Sequence, residues 1–223
     1  MIDIPIQAVL FDMDGLMFDT ERISFQSFQK AGKSCGVKID KPLFERMLGR
    51  NKHKILSLYA EAFGSMAIAN TIMEKKDIFA AEYIEAHGVP VKPGLYELLQ
   101  YLKKTGLRAA VASSSNREVV LHLLKLAKVD TYFTAVCCGN EVQHAKPNPE
   151  IFLKAAAQLD TDPKACLVLE DSVNGLKAAH RAGICSIMVP DLLPPTDETR
   201  ALTPHVAKSL LDVIPFLEAY GAK

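Results

Sequence analysis

With 223 residues and a hydrophobic fraction of 49%, the chain has enough apolar material for one large domain or two small ones and too much to be disordered. Basic and acidic residues balance at 26 each, which excludes the net basic field of a nucleic-acid binder but allows a small anionic ligand held by one or two local cations. The N-terminal residues lack a basic region followed by a long apolar stretch, no apolar run approaches ~18 residues, and the five cysteines (Cys35, Cys137, Cys138, Cys166, Cys185) show no C-x-x-C spacing, so a soluble cytoplasmic protein with buried, reduced thiols and no membrane partner is expected.

The run Ala8-Val9-Leu10-Phe11 reads as a buried strand, and Asp12-Met13-Asp14-Gly15 follows at its end. Period-two geometry turns Asp12 and Asp14 to the same side, where their charges repel unless a cation fills the gap. That arrangement suits an aspartate nucleophile beside an aspartate acid/base, with a divalent metal neutralising both. From Leu16 to Gly88 the pattern is helical, at Ser24–Lys33, Lys41–Leu48, Lys52–Phe63 and Ala67–His87, with Asp40 as an N-cap ahead of Pro42. No strand is evident there, so a helical subdomain inserted after the first strand is expected. Between two of its helices, Arg50, Asn51 and Lys52 form a polar, basic loop, either an ordinary solvated turn or a loop that contacts substrate.

From about Val91 onward, strands and helices alternate. A helix from Pro93-Gly94 to Gly106 precedes the strand Leu107–Ala112, and a helix from Asn116 to Ala127 precedes the strand Thr134–Cys138. A helix from Asn148 to Leu159, the strand Ala165–Leu169, the helix Ser172–Ala182 stopped by Gly183, and the strand Ile184–Val189 follow. A last helix, Ser209–Tyr220 interrupted by Pro215, is expected to pack on a sheet edge. Repeated βα units with short connections imply an α/β fold, a doubly wound parallel sheet covered by helices.

Ligands of such a sheet collect beyond the carboxyl ends of its strands. Asp12 and Asp14 follow the first strand; Ser113, Ser114, Ser115 and Asn116 follow the second; Lys146 lies after the third; Glu170, Asp171 and Ser172 follow the fourth. These parts fit phosphoryl transfer, in which a phosphate needs a metal to screen it from an attacking carboxylate, a cation on its oxygens and a few neutral donors. Asp12 is the expected nucleophile and Asp14 the acid/base. Ser113, Ser114, Asn116 and Lys146 would bind phosphate, and Asp171 with Glu170 would hold a hard cation, Mg²⁺. Asn116 has the alternative of simply capping the helix that follows.

The set Asp12-x-Asp14-Gly15, Ser113, Lys146-Pro147 and Glu170-Asp171-Ser172-x-x-Gly175 resembles the haloacid-dehalogenase-like hydrolase superfamily, and the helical insertion resembles its branch of β-phosphoglucomutases and small sugar-phosphate phosphatases. The resemblance covers nearly the whole chain. It implies a Rossmann-like core over residues 1–15 and 89–223 and a mobile helical cap over 16–88. It also implies Mg²⁺ on Asp12, the Asp14 carbonyl, Glu170 and Asp171. A mutase of that branch carries a cap histidine where this chain has Ser24, which leaves hydrolysis as the default. The expected activity is therefore that of a Mg²⁺-dependent phosphatase, acting as a monomer on a small phosphorylated metabolite such as a sugar or polyol phosphate. The alternatives are a phosphomutase and a non-catalytic phospho-ligand binding or signalling protein.

Overall fold

The computed structural model describes residues 4–48 and 52–221. Strand β1 (Ala8–Phe11) is fully buried, as its unbroken apolar run requires. The chain then enters four helices, α1 (Thr20–Ser34), α2 (Lys41–Glu45), α3 (Lys52–Phe63) and α4 (Met66–His87). Asp40 caps α2 by accepting from Leu43 N–H at 3.0 Å, and Ser65 caps α4 in the same way from Ile68 N–H. Residues Thr20–Val89 form one compact unit. Its core is aromatic: Phe28 lies edge-on to Tyr59 at 5.4 Å between ring centroids, and Phe44 packs on both Phe25 and Phe28.

The second unit comprises the residues up to Asp19 and those from Pro90 onward. After α5 (Leu95–Thr105) come β2 (Arg108–Ser113), α6 (Arg117–Leu126), β3 (Ala135–Cys138), α7 (Glu150–Gln158), β4 (Cys166–Glu170), α8 (Val173–Ala182) and β5 (Cys185–Met188). All five strands are parallel, in the order β3-β2-β1-β4-β5. Leu10 stands opposite Ala110 on one side and Val168 on the other. On one face of the sheet Ala8, Leu10, Ala112, Cys137 and Val168 pack against Ile151, Phe152 and Ala155 of α7 and Ala178 and Ala179 of α8. The strand order reverses around β1, and that switch point opens a crevice beyond the carboxyl ends of β1, β2 and β4.

Several strand boundaries fall one residue later than the sequence pattern suggests. The parallel ladder extends to Ser113, paired with Cys138, and to Glu170, paired with Met188. Both are therefore final strand residues rather than the first residues of a loop. Helix α7 starts at Glu150, two residues after its expected start, because Asn148 Oδ1 accepts from Glu150 N–H and Pro149 turns the chain ahead of it. A short helix, α9 (Asp197–Leu202), was not expected; Thr196 caps it. Beside it, Met188 N–H donates to His205 and Ala207 N–H donates to Met188, so the exposed edge of β5 is covered.

The C-terminal helix corrects two expectations. After a single 3₁₀ turn at Leu210–Asp212, α10 (Val213–Tyr220) runs without interruption. Pro215 is its third residue, where the missing N–H has no intrahelical acceptor to lose. The helix packs on α5, and Gly221 bridges to Ile6 ahead of the central strand β1, not to a sheet edge.

Candidate active site

Lys146 is the charged centre of the crevice. Its Nζ donates to Asp12 Oδ1 at 2.5 Å, to Glu170 Oε1 at 2.7 Å and to the Ala112 carbonyl at 3.0 Å, which ties together the ends of β1, β4 and β2. The side chains of Lys146 and Glu170 are 5% and 1% exposed, so this cluster is desolvated. Burial pushes the Asp12 carboxyl up to about 7; Lys146 opposes the rise, while Glu170 and Asp14 add to it. Burial works against the charge on Lys146, yet Asp12 and Glu170 together raise its ammonium above the usual lysine value. One ammonium shared by two buried acids leaves an excess of negative charge at the rim.

The loop carrying Lys146 is clasped from below. Glu150, at the start of α7, accepts from Gln143 N–H at 2.8 Å and His144 N–H at 2.9 Å, and Arg181 donates to the Pro147 carbonyl at 2.9 Å. The Lys146–Pro147 peptide bond is cis. The Phe152 ring lies under the ammonium, its centroid 4.7 Å from Nζ. Glu170 is held at its other oxygen, Oε2, by Ser172 N–H at 2.8 Å and Ser172 Oγ at 2.9 Å. Gly175, on the first turn of α8, leaves room for that carboxylate: a methyl group there would overlap it.

Asp14 meets a residue outside the expected set. Ser115 Oγ donates to Asp14 Oδ2 at 2.8 Å. The triplet Ser113-Ser114-Ser115 contained the signal, but nothing in the sequence says which hydroxyl turns inward. Ser113 is fully buried, and its Oγ accepts from Ser115 N–H at 3.0 Å. Ser114 and Asn116 are exposed, and Asn116 occupies the position before α6 without making a side-chain capping bond. Asp171 is half-buried beside Gly15, whose φ of +80° takes the chain through a left-handed turn. A Cβ on Gly15 would lie 2.5 Å from Asp171 Oδ2 and 3.3 Å from Asp191 Oδ2. Asp191 lies in the loop after β5 and accepts from Lys92 Nζ at 2.7 Å.

Of the expected basic loop, Arg50, Asn51 and the side chain of Lys52 lie outside the described residues. A cavity of about 310 Å³ opens within the helical unit between α1 and α4, lined by Gln26, Lys30, Phe79, Glu82, Tyr83 and His87 among others. It holds none of the groups expected to do chemistry. Among the described residues no helix is long and apolar enough to cross a membrane, and no three His, Cys, Asp or Glu side chains are arranged to hold a metal ion.

Residues 9–189 match the family described as haloacid dehalogenase-like hydrolase. The chain is 30% identical over 184 residues to a phosphorylated carbohydrates phosphatase of Thermotoga maritima, covering 80% of this chain and 82% of the relative. It is also 30% identical over 191 residues to the β-phosphoglucomutase of Bacillus subtilis, covering 82% and 83%. Among solved structures, CbbY from Rhodobacter sphaeroides in complex with phosphate is similar with a TM-score of 0.77 at 25% identity, over 93% of this chain and 96% of that one.

Proposed function

The chain belongs to the haloacid dehalogenase-like hydrolase family, and from that premise we propose that it is a Mg²⁺-dependent phosphatase that hydrolyses a small phosphorylated sugar or polyol through an aspartyl phosphate on Asp12. The observation that carries the reading is Lys146 bridging Asp12 and Glu170 at adjoining strand ends, with Asp14 held beside them by Ser115. In the first half-reaction Asp12 Oδ attacks phosphorus, an aspartyl P–O bond forms, and the bond to the leaving oxygen breaks as Asp14 gives that oxygen a proton. In the second, Asp14 takes a proton from water, the water oxygen attacks phosphorus, and inorganic phosphate leaves with Asp12 restored. Ser113, Ser114, Asn116 and Lys146 are assigned to the phosphoryl oxygens.

The residues fit Mg²⁺. All the donors are hard oxygens: the carboxylates of Asp12, Glu170 and Asp171 and the main-chain carbonyl of Asp14 would hold the ion. A set of hard oxygens completed by water and substrate phosphate is how this ion is commonly bound. When bound, it screens the phosphate from the Asp12 carboxylate.

Residues 1–15 and 89–223 are assigned as the catalytic core and 16–88 as the cap, in which Arg50, Asn51 and Lys52 are the candidate substrate contacts. The Bacillus relative keeps phosphomutase activity as a second reading, against which stands Ser24 on α1 in place of the cap histidine. The balanced charge and five free thiols favour a cytoplasmic protein, and a monomer suffices for every step above.

Phosphate release from a panel of sugar and polyol phosphates tests the assignment. Release is expected only with Mg²⁺ present and is expected to vanish in Asp12→Asn. Conversion of β-glucose 1-phosphate to glucose 6-phosphate without net release would establish the mutase instead.

A further inference from the structure

Directly after β3 the chain makes a single 3₁₀ turn, Gly139–Glu141, and each of its residues bonds to the segment that follows β2. Gly139 N–H donates to the Ser115 carbonyl at 2.9 Å. Asn140 Oδ1 accepts from Arg117 N–H at 3.1 Å, and Glu141 Oε1 accepts from Arg117 Nη1 at 3.0 Å. The turn is itself held down: Glu141 Oε2 accepts from Cys138 N–H at 2.9 Å, and Lys154 Nζ donates to the Glu141 carbonyl at 2.7 Å.

Gly139 stands where this seam is tightest. A Cβ there would lie 2.1 Å from the Ser114 carbonyl oxygen. Its φ lies outside the left-handed region, so the glycine is needed for space and not for conformation. The atom it makes room for belongs to the backbone and cannot swing aside as a side-chain end does. Any side chain at this position must push the Ser114–Ser115 segment away or break the bond to the Ser115 carbonyl. Ser115 is the residue whose hydroxyl reaches Asp14 Oδ2 at 2.8 Å, and its own N–H donates to Ser113 Oγ at 3.0 Å. A shift of this segment therefore moves the hydroxyl that orients Asp14. We propose that Gly139 is a positioning residue for the acid/base Asp14, acting through Ser115. The inference rests on the aspartyl-phosphate reading of the site.

An acid/base contributes most where the leaving oxygen is basic and least where it departs readily without a proton. Phenyl phosphate and p-nitrophenyl phosphate differ in that respect, and kcat/KM for each, with Mg²⁺ present, reports the half-reaction in which Asp14 protonates the leaving oxygen. Gly139→Ala is expected to lower kcat/KM about tenfold or more for phenyl phosphate and much less for p-nitrophenyl phosphate. On the sugar or polyol phosphate that the panel identifies, Gly139→Ala/Ser115→Ala is expected to be no slower than the slower single variant, because both changes act on one hydroxyl. Asn140→Ala cuts the seam at an exposed side chain and adds no atom, so it serves if Gly139→Ala fails to fold; the same ester dependence is expected, at smaller size. Equal losses on the two aryl esters, or losses that multiply in the double variant, would overturn the proposal. So would unaltered kinetics in Gly139→Ala or, where it stands in, in Asn140→Ala. An unaltered protein that releases phosphate from none of these esters would remove the phosphatase reading as well, a result distinct from failure of Gly139 alone.

Discussion

Asp14 and Ser115 illustrate how finely one hydrogen bond can set the chemistry of a carboxyl group. In the reaction proposed above, Asp14 would face a leaving oxygen in one half-reaction and a water in the next, so its orientation would matter as much as its acidity. Ser115 Oγ, 2.8 Å from Asp14 Oδ2, supplies that orientation. A hydrogen bond to a charged group is worth about 1.5–3 kcal/mol, so Ser115→Ala is expected to lower kcat ~10-fold or more while leaving KM nearly unchanged. Ser115→Thr, which keeps the hydroxyl, should restore most of the rate. Steady-state kinetics on whichever phosphate ester the panel identifies would check both; a loss confined to KM would make Ser115 a substrate-binding group instead. The serine triplet points to phosphate ligands, Ser113 foremost, but singles out none of them as a partner of Asp14. Which hydroxyl turns toward Asp14 depends on how β2 ends relative to β1, a tertiary relation that spans 101 residues of chain.

At the scale of the element, α7 does two jobs. Its first residue, Glu150, clasps the loop that carries Lys146, and its third, Phe152, lies fully buried beneath the ammonium. Phe152→Ala removes a core ring and is expected to cost about 3–5 kcal/mol, readable as a lowered urea midpoint. Because the ring also supports Lys146, kcat/KM should fall in conditions where the variant remains folded. A stability loss with unaltered kcat/KM would assign the ring to the core alone. Helix α8 is built likewise, Ser172 serving both as its N-cap and as a donor to Glu170. The alternating pattern located both helices to within two residues. It could not show that their first turns hold the site, because hydrophobic periodicity reports the buried face and says nothing of loop contacts.

Across the whole molecule, the five cysteines report how far each part of the fold excludes solvent. Burial raises the thiols of Cys137 and Cys138 to about 11 and that of Cys166 to about 12. At pH 8 a thiol with a value near 11 is only roughly one part in a thousand thiolate. Native protein treated with an alkylating reagent at that pH is expected to be modified first at Cys35, which is partly exposed, with Cys137, Cys138 and Cys166 protected until the chain unfolds. Peptide mapping by mass spectrometry would show the order. Modification of those three at the rate of Cys35 in folded protein would contradict the burial described here.

The alternation of strands and helices, the helical insertion after the first strand, and the ordered motifs at Asp12, Ser113, Lys146 and Glu170 are all legible along the chain. Each is written in local periodicity or in residue identity at a strand end. The strand order, the grip of Lys146 on both Asp12 and Glu170, the hydrogen bond from Ser115 to Asp14, and the approach of Asp191 to Gly15 emerge only once the chain has folded. These join residues far apart in the chain, brought together by sheet pairing and by the burial of charge, and no local pattern encodes where a distant carboxylate will come to rest.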